Sequence, residues 1–148
     1  MPERTNDEVV RAYLDGYSTN DRATLSRLRH ADWMCTYPQS RERIRGDAND
    51  QAIADNYPGG MPLVDSTRIV GSEDHWVVTP SYTVERVAGS GDSWWVEARM
   101  VYPDGRFWFT AMLLDIRDGK IWRETTYWAE PFESPEWRAA WVERIPEA

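Results

Sequence analysis

The sequence is poor in residues on which several classes of protein depend. Only one cysteine, Cys35, occurs in 148 residues, which excludes a disulfide framework within the chain and is typical of a reducing compartment. Lysine and arginine together number 17 against 25 aspartate and glutamate residues, so the net charge is −8. Nucleic acids and anionic membrane surfaces attract basic proteins, and we therefore expect this chain to bind neither.

Long apolar runs are also missing. No uninterrupted apolar segment approaches the roughly 20 residues that span a bilayer, and the polar residues at 1–7 lack the apolar centre of a signal peptide. Histidine, cysteine and acidic residues do not occur at the spacings of metal sites, and no glycine-rich phosphate-binding loop follows a predicted strand. These absences predict a soluble, cytoplasmic protein without a metal or other cofactor.

Aromatic residues, in contrast, are abundant. The chain has nine Trp, seven Tyr and three Phe, which is typical either of an aromatic-lined cavity or of a subunit interface. Its length corresponds to a single domain, large enough to bury a substantial core.

Apolar periodicity changes from helical to extended along the chain. Helical spacing predicts helices over 6–17, 21–28 and 47–57, with a short strand over 31–38 and a charged loop over 39–46. Extended patterns then predict strands over 67–71 and 75–87, three more strands over 94–128, and a final helix that begins at Ser134 and Pro135. Helices followed by antiparallel strands predict an α+β fold with the helices on one face of the sheet.

The last three predicted strands are joined by tight turns at 103–105 and 118–119, each of which contains a glycine. Such turns fix the register of the strands, with Ile116 opposite Ile121. This register predicts that charged and aromatic residues share one face of the sheet: Trp95, Glu97, Arg99, Phe109, Glu124, Thr126 and Trp128.

Carboxylates in such aromatic surroundings are candidates for acid–base chemistry. Loss of contact with water raises the pKa of a carboxyl group toward the range useful in catalysis. Arg99 can keep a neighbouring carboxylate ionised or stabilise negative charge on a substrate oxygen, and Tyr13 and Tyr37 are candidate hydrogen-bond donors to that oxygen. The alternative is that Glu97, Arg99 and Glu124 form a structural ion network, which contributes about 0–1 kcal/mol if it is exposed.

The order of elements and the ending Asp-Gly-Lys-Ile-Trp-Arg-Glu-Thr-Thr-Tyr-Trp at 118–128 resemble the nuclear transport factor 2-like superfamily. Within it, the likeness is to SnoaL-like proteins, which are related to polyketide cyclases, ketosteroid isomerases and limonene epoxide hydrolases. The resemblance covers roughly residues 6–132 and implies one SnoaL-like domain over 1–148, with a C-terminal helical extension over 133–148. It also implies a cone-shaped, curved antiparallel sheet that encloses an apolar pocket with three N-terminal helices, and a homodimer formed through the outer sheet face.

The resemblance also selects the face that lines the pocket. Trp128 occupies the position of a pocket tryptophan in ketosteroid isomerases, and Glu97 matches a catalytic aspartate of limonene epoxide hydrolase. Both belong to the face that carries the charged residues, so the resemblance implies that this face is the cavity wall.

The catalytic residues of these relatives do not transfer as complete sets. Tyr13 resembles the helix-1 tyrosine of ketosteroid isomerases, but Tyr37 stands in place of the base and Ala111 in place of the second acid. Trp95 and Thr126 replace the arginine and the second acid of the epoxide hydrolase. Neither reaction is therefore expected to proceed here through the family's residues.

We interpret the chain as a cofactor-independent acid–base enzyme of the cyclase, isomerase, dehydratase or hydrolase type. Its ligand would be a hydrophobic, oxygen-bearing small molecule. Glu97 or Glu124 would move a proton, while Arg99 and Tyr13 would stabilise negative charge on oxygen. Residues that would contact the substrate are Tyr37, Trp95, Phe109, Thr126 and Trp128. Two alternatives remain open, a non-catalytic small-molecule binding protein and a dimeric interaction domain with a vestigial pocket.

Overall fold

A computed structural model describes residues 3–19, 21–58, 76–79, 82–101 and 105–146. The α+β fold is confirmed, with three α-helices, seven strands and one 3-10 helix in these ranges. The predicted strand over 67–71 and most of the predicted turn at 103–105 lie outside the described residues. The elements are α1 (Asn6–Ser18), α2 (Arg22–Leu28), β1 (Arg29–Tyr37), β2 (Glu42–Arg45), α3 (Asp47–Asp55), β3 (Trp76–Thr79), β4 (Tyr82–Ser90), β5 (Ser93–Val101), β6 (Phe107–Arg117), β7 (Lys120–Ala129) and the 3-10 helix Glu136–Trp141.

Helix α1 begins with a capping box. The Thr5 side chain accepts a hydrogen bond from the backbone N–H of Glu8, and the Glu8 carboxylate accepts one from the backbone N–H of Thr5. These bonds satisfy backbone donors that the first turn of a helix leaves unpaired. The apolar stripe that follows, including Val10 and Tyr13, is fully buried, so α1 carries the predicted tyrosine into the core.

The seven strands form one sheet in the order β2-β1-β7-β6-β5-β4-β3. All neighbouring strands are antiparallel except β1 and β7, which are parallel. The predicted antiparallel sheet is therefore present, and this one pair is parallel. No turn joins β1 to β7, so the local sequence signals that fix hairpins do not act on them.

The charged segment predicted to be a loop contains strand β2. Only Ile44 of this strand is buried, and its charged neighbours are exposed. The strand lies at the edge of the sheet, where exposed charges discourage pairing with another chain. The charged residues that led to the prediction of a loop are therefore the exposed residues of an edge strand.

The two turns in the region 94–128 predicted the register of β5 with β6 and of β6 with β7. The register of β6 with β7 shifts part of the way along the strands. Strands β5 and β6 pair as predicted, with Glu97 opposite Ala111. Strands β6 and β7 also begin as predicted, with Ile116 opposite Ile121, but the next pair is Asp115 with Arg123. An extra residue on β7 at this point is a β-bulge, and it moves every later residue of the strand to the opposite face.

The bulge contradicts the prediction that Glu97, Arg99 and Glu124 share a face. Glu124 stands opposite Leu114, on the face that carries the buried residues of β5 and β6. Glu97 and Arg99 lie on the other face, where Arg99 forms an ion pair with Glu85 at 2.7 Å. The predicted acid–arginine–acid cluster is therefore not formed.

The two faces of the sheet differ in what covers them. The inner face, defined by Val96, Ala98, Met112 and Leu114, packs into one apolar core with residues of α1 and α2. The outer face carries Glu97, Phe109 and Leu113, and the last two side chains are 46% and 49% exposed. For β5 and β6 the face implied as the cavity wall is thus the outer face, and this correction applies to Trp95, Glu97, Arg99 and Phe109.

The C-terminal extension is helical for one short stretch. The final helix is the 3-10 segment Glu136–Trp141, with no buried residue. Trp137 and Trp141 are 74% and 80% exposed. The helix was predicted to begin at Ser134 and Pro135; it begins after Pro135, without a side-chain capping hydrogen bond.

Candidate functional site

Glu124 is a buried carboxylate near the centre of the inner face. The bulge turns it inward, its neighbour on the parallel strand β1 is Cys35, and it is 1% exposed. Its Oε1 atom accepts two hydrogen bonds, one from the Tyr13 hydroxyl and one from Trp33 Nε1 at 2.9 Å. Helix α1 and strand β1 thus each supply one donor to the same oxygen.

The second carboxylate oxygen of Glu124 is different. Among the described residues, Oε2 is buried without a hydrogen-bond partner. The hydroxyl of Thr126, two residues along the same face of β7, has no nitrogen or oxygen partner and lies within reach of the Cys35 thiol. Buried polar atoms are nearly always paired with protein or water, and one terminal nitrogen each of Arg22 and Arg29 shares this unpaired state. Since Oε1 already accepts two donors, a proton on Glu124 belongs on Oε2.

Arg29 connects this carboxylate to helix α3. The Arg29 side chain is 1% exposed. Its Nε donates to the Tyr13 hydroxyl oxygen at 2.8 Å, and one terminal nitrogen donates to Asp47 at 2.7 Å and Asp50 at 2.8 Å. The guanidinium also lies over the Trp33 ring, 3.8 Å from the ring centroid.

Burial dominates the electrostatics of these groups. It raises the pKa of Glu124, while the charge of Arg29 and the hydrogen bonds from Tyr13 and Trp33 act in the opposite direction. Burial also raises the pKa of the Tyr13 hydroxyl well above its ordinary value, with the nearby Glu124 charge adding to the effect. Tyr13 consequently stays protonated and acts as a hydrogen-bond donor.

The neighbouring thiol and phenols are held in the same protonated state. Burial raises the pKa of Cys35, and the charge of Glu124 raises it further. The pKa values of Tyr17 and Tyr37 are raised mainly by burial as well. A protonated thiol is a poor nucleophile, so Cys35 contributes packing rather than covalent chemistry.

Aromatic rings continue the inner face beyond Thr126. Tyr37 and Trp128 pack edge to face with ring centroids 6.3 Å apart, and Trp128 and Trp108 pack in the same way at 6.5 Å. All three rings are partly exposed. Along the inner face of β7, the buried acid Glu124 is therefore followed by the hydroxyl of Thr126 and then by partly exposed aromatic rings.

The structure brings together five of the residues that the sequence identified as candidates and separates the other four. Glu124, Tyr13, Thr126, Tyr37 and Trp128 lie on or against the inner face. The residues on the outer face are Trp95, Glu97, Arg99 and Phe109.

Two residues with a direct part in the site, Arg29 and Trp33, were not predicted. Trp33 was assigned only to a short strand, and Arg29 was not assigned to any site. Their spacing of four residues was not a usable signal, because Arg29 precedes the predicted strand at 31–38 and the register of β1 shifts between Arg29 and Met34. Their partners on α1 and β7 likewise have no signal along the chain.

Fold and site together define a class: α+β proteins in which N-terminal helices pack a tyrosine against an acid on the inner face of a sheet. Among the described residues no group of His, Cys, Asp and Glu could hold a metal ion. No helix in the described part of the chain is long and apolar enough to cross a membrane.

Comparison with solved structures identifies the family. A nuclear transport factor 2-like protein of unknown function from Burkholderia xenovorans is 31% identical, with a TM-score of 0.73 and 95% of each chain covered. This chain therefore belongs to the nuclear transport factor 2-like family.

Two further structures share the fold. A protein from Kribbella flavida provisionally assigned as a ketosteroid isomerase is 24% identical, with a TM-score of 0.72 and coverage of 96% of this chain and 90% of that one. A limonene-epoxide-hydrolase-like enzyme from M. tuberculosis is 16% identical, with a TM-score of 0.60 and 86% of each chain covered. No protein-family profile and no curated protein sequence matches the chain.

The raised pKa of Glu124 predicts a specific pH dependence of stability. The folded protein binds this proton more tightly than the unfolded chain, so the contribution of Glu124 is fully present below the unfolded pKa and is lost as pH rises through the folded pKa. Glu124→Gln does not titrate. Its free energy of unfolding relative to wild type should therefore increase with pH in that window, by at most about 1.4 kcal/mol per pH unit.

Urea unfolding of both proteins between acid and slightly alkaline pH measures this difference. All other titrating groups are shared, so they cancel in the comparison. A difference that is constant with pH, or that falls as pH rises, would show that Glu124 has no raised pKa.

Proposed function

We propose that this protein is a cofactor-independent enzyme that moves a proton on an apolar, oxygen-bearing small molecule, with Glu124 as the acid–base residue. The observation that carries the proposal is the asymmetry of this buried carboxylate. Two donors hold Oε1, whereas Oε2 has no partner among the described residues. A carboxyl group that is held in place through one oxygen and can carry a proton on the other is what general acid–base catalysis requires.

Each neighbouring group has a role in this proposal. Tyr13 and Trp33 stabilise the carboxylate form after Glu124 has given up its proton, because both donate to Oε1. The Thr126 hydroxyl, which lies on the same face within reach of the Cys35 thiol, binds a substrate oxygen. The raised pKa of Glu124 brings its proton closer to the neutral range, where proton transfer in both directions is efficient.

The substrate class follows from the surroundings of the acid. Tyr37, Trp108 and Trp128 present partly exposed rings beyond Thr126, which suit an apolar body. The names of two structures with this fold refer to a ketosteroid and to an epoxide, and both are apolar molecules that carry oxygen. These two compound classes are the first to test.

The test is an incubation of purified protein with a β,γ-unsaturated ketosteroid and with a terpene epoxide, followed by liquid chromatography and mass spectrometry. Quenching of tryptophan fluorescence measures binding of the same compounds. The proposal predicts product in molar excess over protein for at least one of these classes. Saturable binding without turnover would favour the non-catalytic binding protein, and neither binding nor turnover would favour the interaction domain.

We also propose that the chain forms a homodimer through its outer sheet face. Phe109, Leu113, Tyr127 and Val101 on this face are all more than 40% exposed. Contiguous exposed apolar residues mark interaction surfaces, and strand alternation places these four on one side of the sheet. Leu113→Glu should convert a dimer to a monomer in size-exclusion chromatography with light scattering, because it buries a charge in the interface.

The matched control for this prediction is Lys120→Glu, which changes an exposed charge on the first residue of β7. It should leave the mass unchanged. If the wild-type protein is a monomer at micromolar concentration, the proposal that the outer face is a dimer interface is wrong.

A further inference from the structure

The hydrogen-bond donors of Arg29 reach two parts of the molecule at once. One edge of the guanidinium, at Nε, donates to the Tyr13 hydroxyl oxygen at 2.8 Å. A terminal nitrogen donates to Asp47 and Asp50 on helix α3, at 2.7 and 2.8 Å. A buried arginine with a planar fork of donors is therefore fixed between α3 and the tyrosine that contacts Glu124.

The chemistry of a phenol gives this arrangement a direction. A tyrosine hydroxyl has one proton to donate and lone pairs with which to accept, whereas a guanidinium can only donate. Because Arg29 donates to the Tyr13 oxygen, the hydroxyl proton must point elsewhere, and its partner is Glu124 Oε1. In both hydrogen bonds between Arg29 and Glu124 the donor is therefore known: Arg29 donates to Tyr13, and Tyr13 donates to Glu124.

We propose that Arg29 is a positioning residue that directs the Tyr13 hydroxyl proton onto Glu124 Oε1, so that helix α3 controls which oxygen of Glu124 exchanges a proton. Asp47 and Asp50 fix the guanidinium from one side and the Trp33 ring supports it from below. With Oε1 occupied by Tyr13 and Trp33, proton exchange is confined to Oε2. The effect of Arg29 on catalysis rests on the proposed function. Its effect on the protonation of Glu124 does not, because that protonation can be measured without a substrate.

Several titratable or charged groups face Glu124 from the elements packed around it. They are Tyr13 and Tyr17 on α1, Arg29, Cys35 and Tyr37 on β1, and Asp50 on α3. The tyrosines and the cysteine are held protonated by burial, so they do not titrate together with Glu124. Arg29 thus supplies the positive charge in this set, and Asp50 supplies a negative charge beside it.

Arg22 is a matched control within the same network. It contacts the same α3 acids, at 2.8 Å from Asp50 and 3.6 Å from Asp47, and its Nε donates to Gln51 at 2.7 Å. Arg22 has no hydrogen bond to Tyr13. A change at Arg22 therefore disturbs the acid pair without disturbing the direction of the hydroxyl.

The first experiment uses the wild-type protein and nuclear magnetic resonance over a pH titration. The indole N–H of Trp33 donates to Glu124 Oε1 and reports its protonation, and Trp33→Phe identifies the resonance by its loss. The Nε–H resonance of Arg29 should move with the same midpoint as the Trp33 indole, because Tyr13 connects them. The Nε–H resonance of Arg22 should not follow that midpoint.

The second experiment changes the geometry but keeps the charge. Lysine offers a compact ammonium in place of the fork and cannot maintain both sets of bonds. Arg29→Lys should move the Trp33 titration midpoint to higher pH, whereas Arg22→Lys should leave it in place. In a Tyr13→Phe background the effect of Arg29→Lys should disappear, because the residue through which Arg29 acts is gone.

Three outcomes would overturn the proposal. The first is an Arg29 Nε–H resonance that does not change as Glu124 titrates. The second is an equal Trp33 titration midpoint in Arg29→Lys and Arg22→Lys. The third is a change of that midpoint by Arg29→Lys that persists in the Tyr13→Phe background. The wild-type titration gives an answer even if Arg29→Lys does not fold. If these signals behave as expected but no compound is turned over, the positioning role stands and the proposed enzyme function fails, so the two are tested separately.

Discussion

Glu124→Gln is expected to reduce kcat by about 10²–10⁴-fold on any substrate that the wild-type protein turns over, which is the usual contribution of a general acid–base residue. Glutamine keeps the shape of the side chain and an oxygen that can accept from Tyr13 and Trp33. It has no proton to exchange at the position of Oε2. The loss should therefore appear in kcat, while binding measured by tryptophan fluorescence changes little.

The control for this experiment is Glu97→Gln, the same substitution on the outer face of the sheet. Glu97 is exposed and lies on the opposite side from Glu124. Its substitution should leave kcat within twofold of wild type, since it removes no group of the proposed site. Equal activity of Glu124→Gln and Glu97→Gln would exclude Glu124 as the acid–base residue.

Trp33→Ala is expected to cause the largest loss of stability, about 3–5 kcal/mol in the free energy of unfolding. Trp33 is 2% exposed and is among the largest fully buried side chains. Its removal leaves a cavity, takes one donor from the buried Glu124 carboxylate, and removes the ring on which the Arg29 guanidinium rests. Small domains are stable by about 5–15 kcal/mol, so this single change removes a large part of the total.

Two variants separate these contributions in urea unfolding. Trp33→Phe keeps an aromatic ring beneath Arg29 but loses the N–H donor, and should cost about 1–3 kcal/mol. Trp141→Ala removes an 80% exposed tryptophan from the C-terminal 3-10 helix and should change stability by no more than about 0.5 kcal/mol. Similar losses for Trp33→Ala and Trp141→Ala would contradict the position of Trp33 in the core.

The features that could be predicted from the sequence are those set by neighbours along the chain. Helices α1 and α2 follow from apolar residues at helical spacing, and each has a capping residue before it, Thr5 and Asp21. The pairing of Ile116 with Ile121 follows from the turn at 118–119. Tyr13 was identified as a site residue because its helix and its position resemble those of a known family.

The site itself depended on pairings that no local signal encodes. A single extra residue in β7 places Glu124 on the inner face, and this bulge has no signature in the alternation of apolar and polar residues. Alternation also shows which residues share a face but not which face the helices cover, so Glu97 was assigned together with Glu124 to the helix-covered face, on which only Glu124 lies.

The partners of Glu124 come from positions far apart in the chain. Tyr13 on α1 and Trp33 on β1 are separated from it by 111 and 91 residues. Trp33 meets it because β1 pairs in parallel with β7, and Tyr13 meets it because α1 packs against the inner face of the sheet. Short-range periodicity and turn chemistry thus specified the helices α1 and α2 and the hairpins, and the segment 118–128 carried the resemblance to the family. The buried acid and its donors arose from packing of the whole sheet against the helices, because the free energy of burying that face is shared by residues from every element.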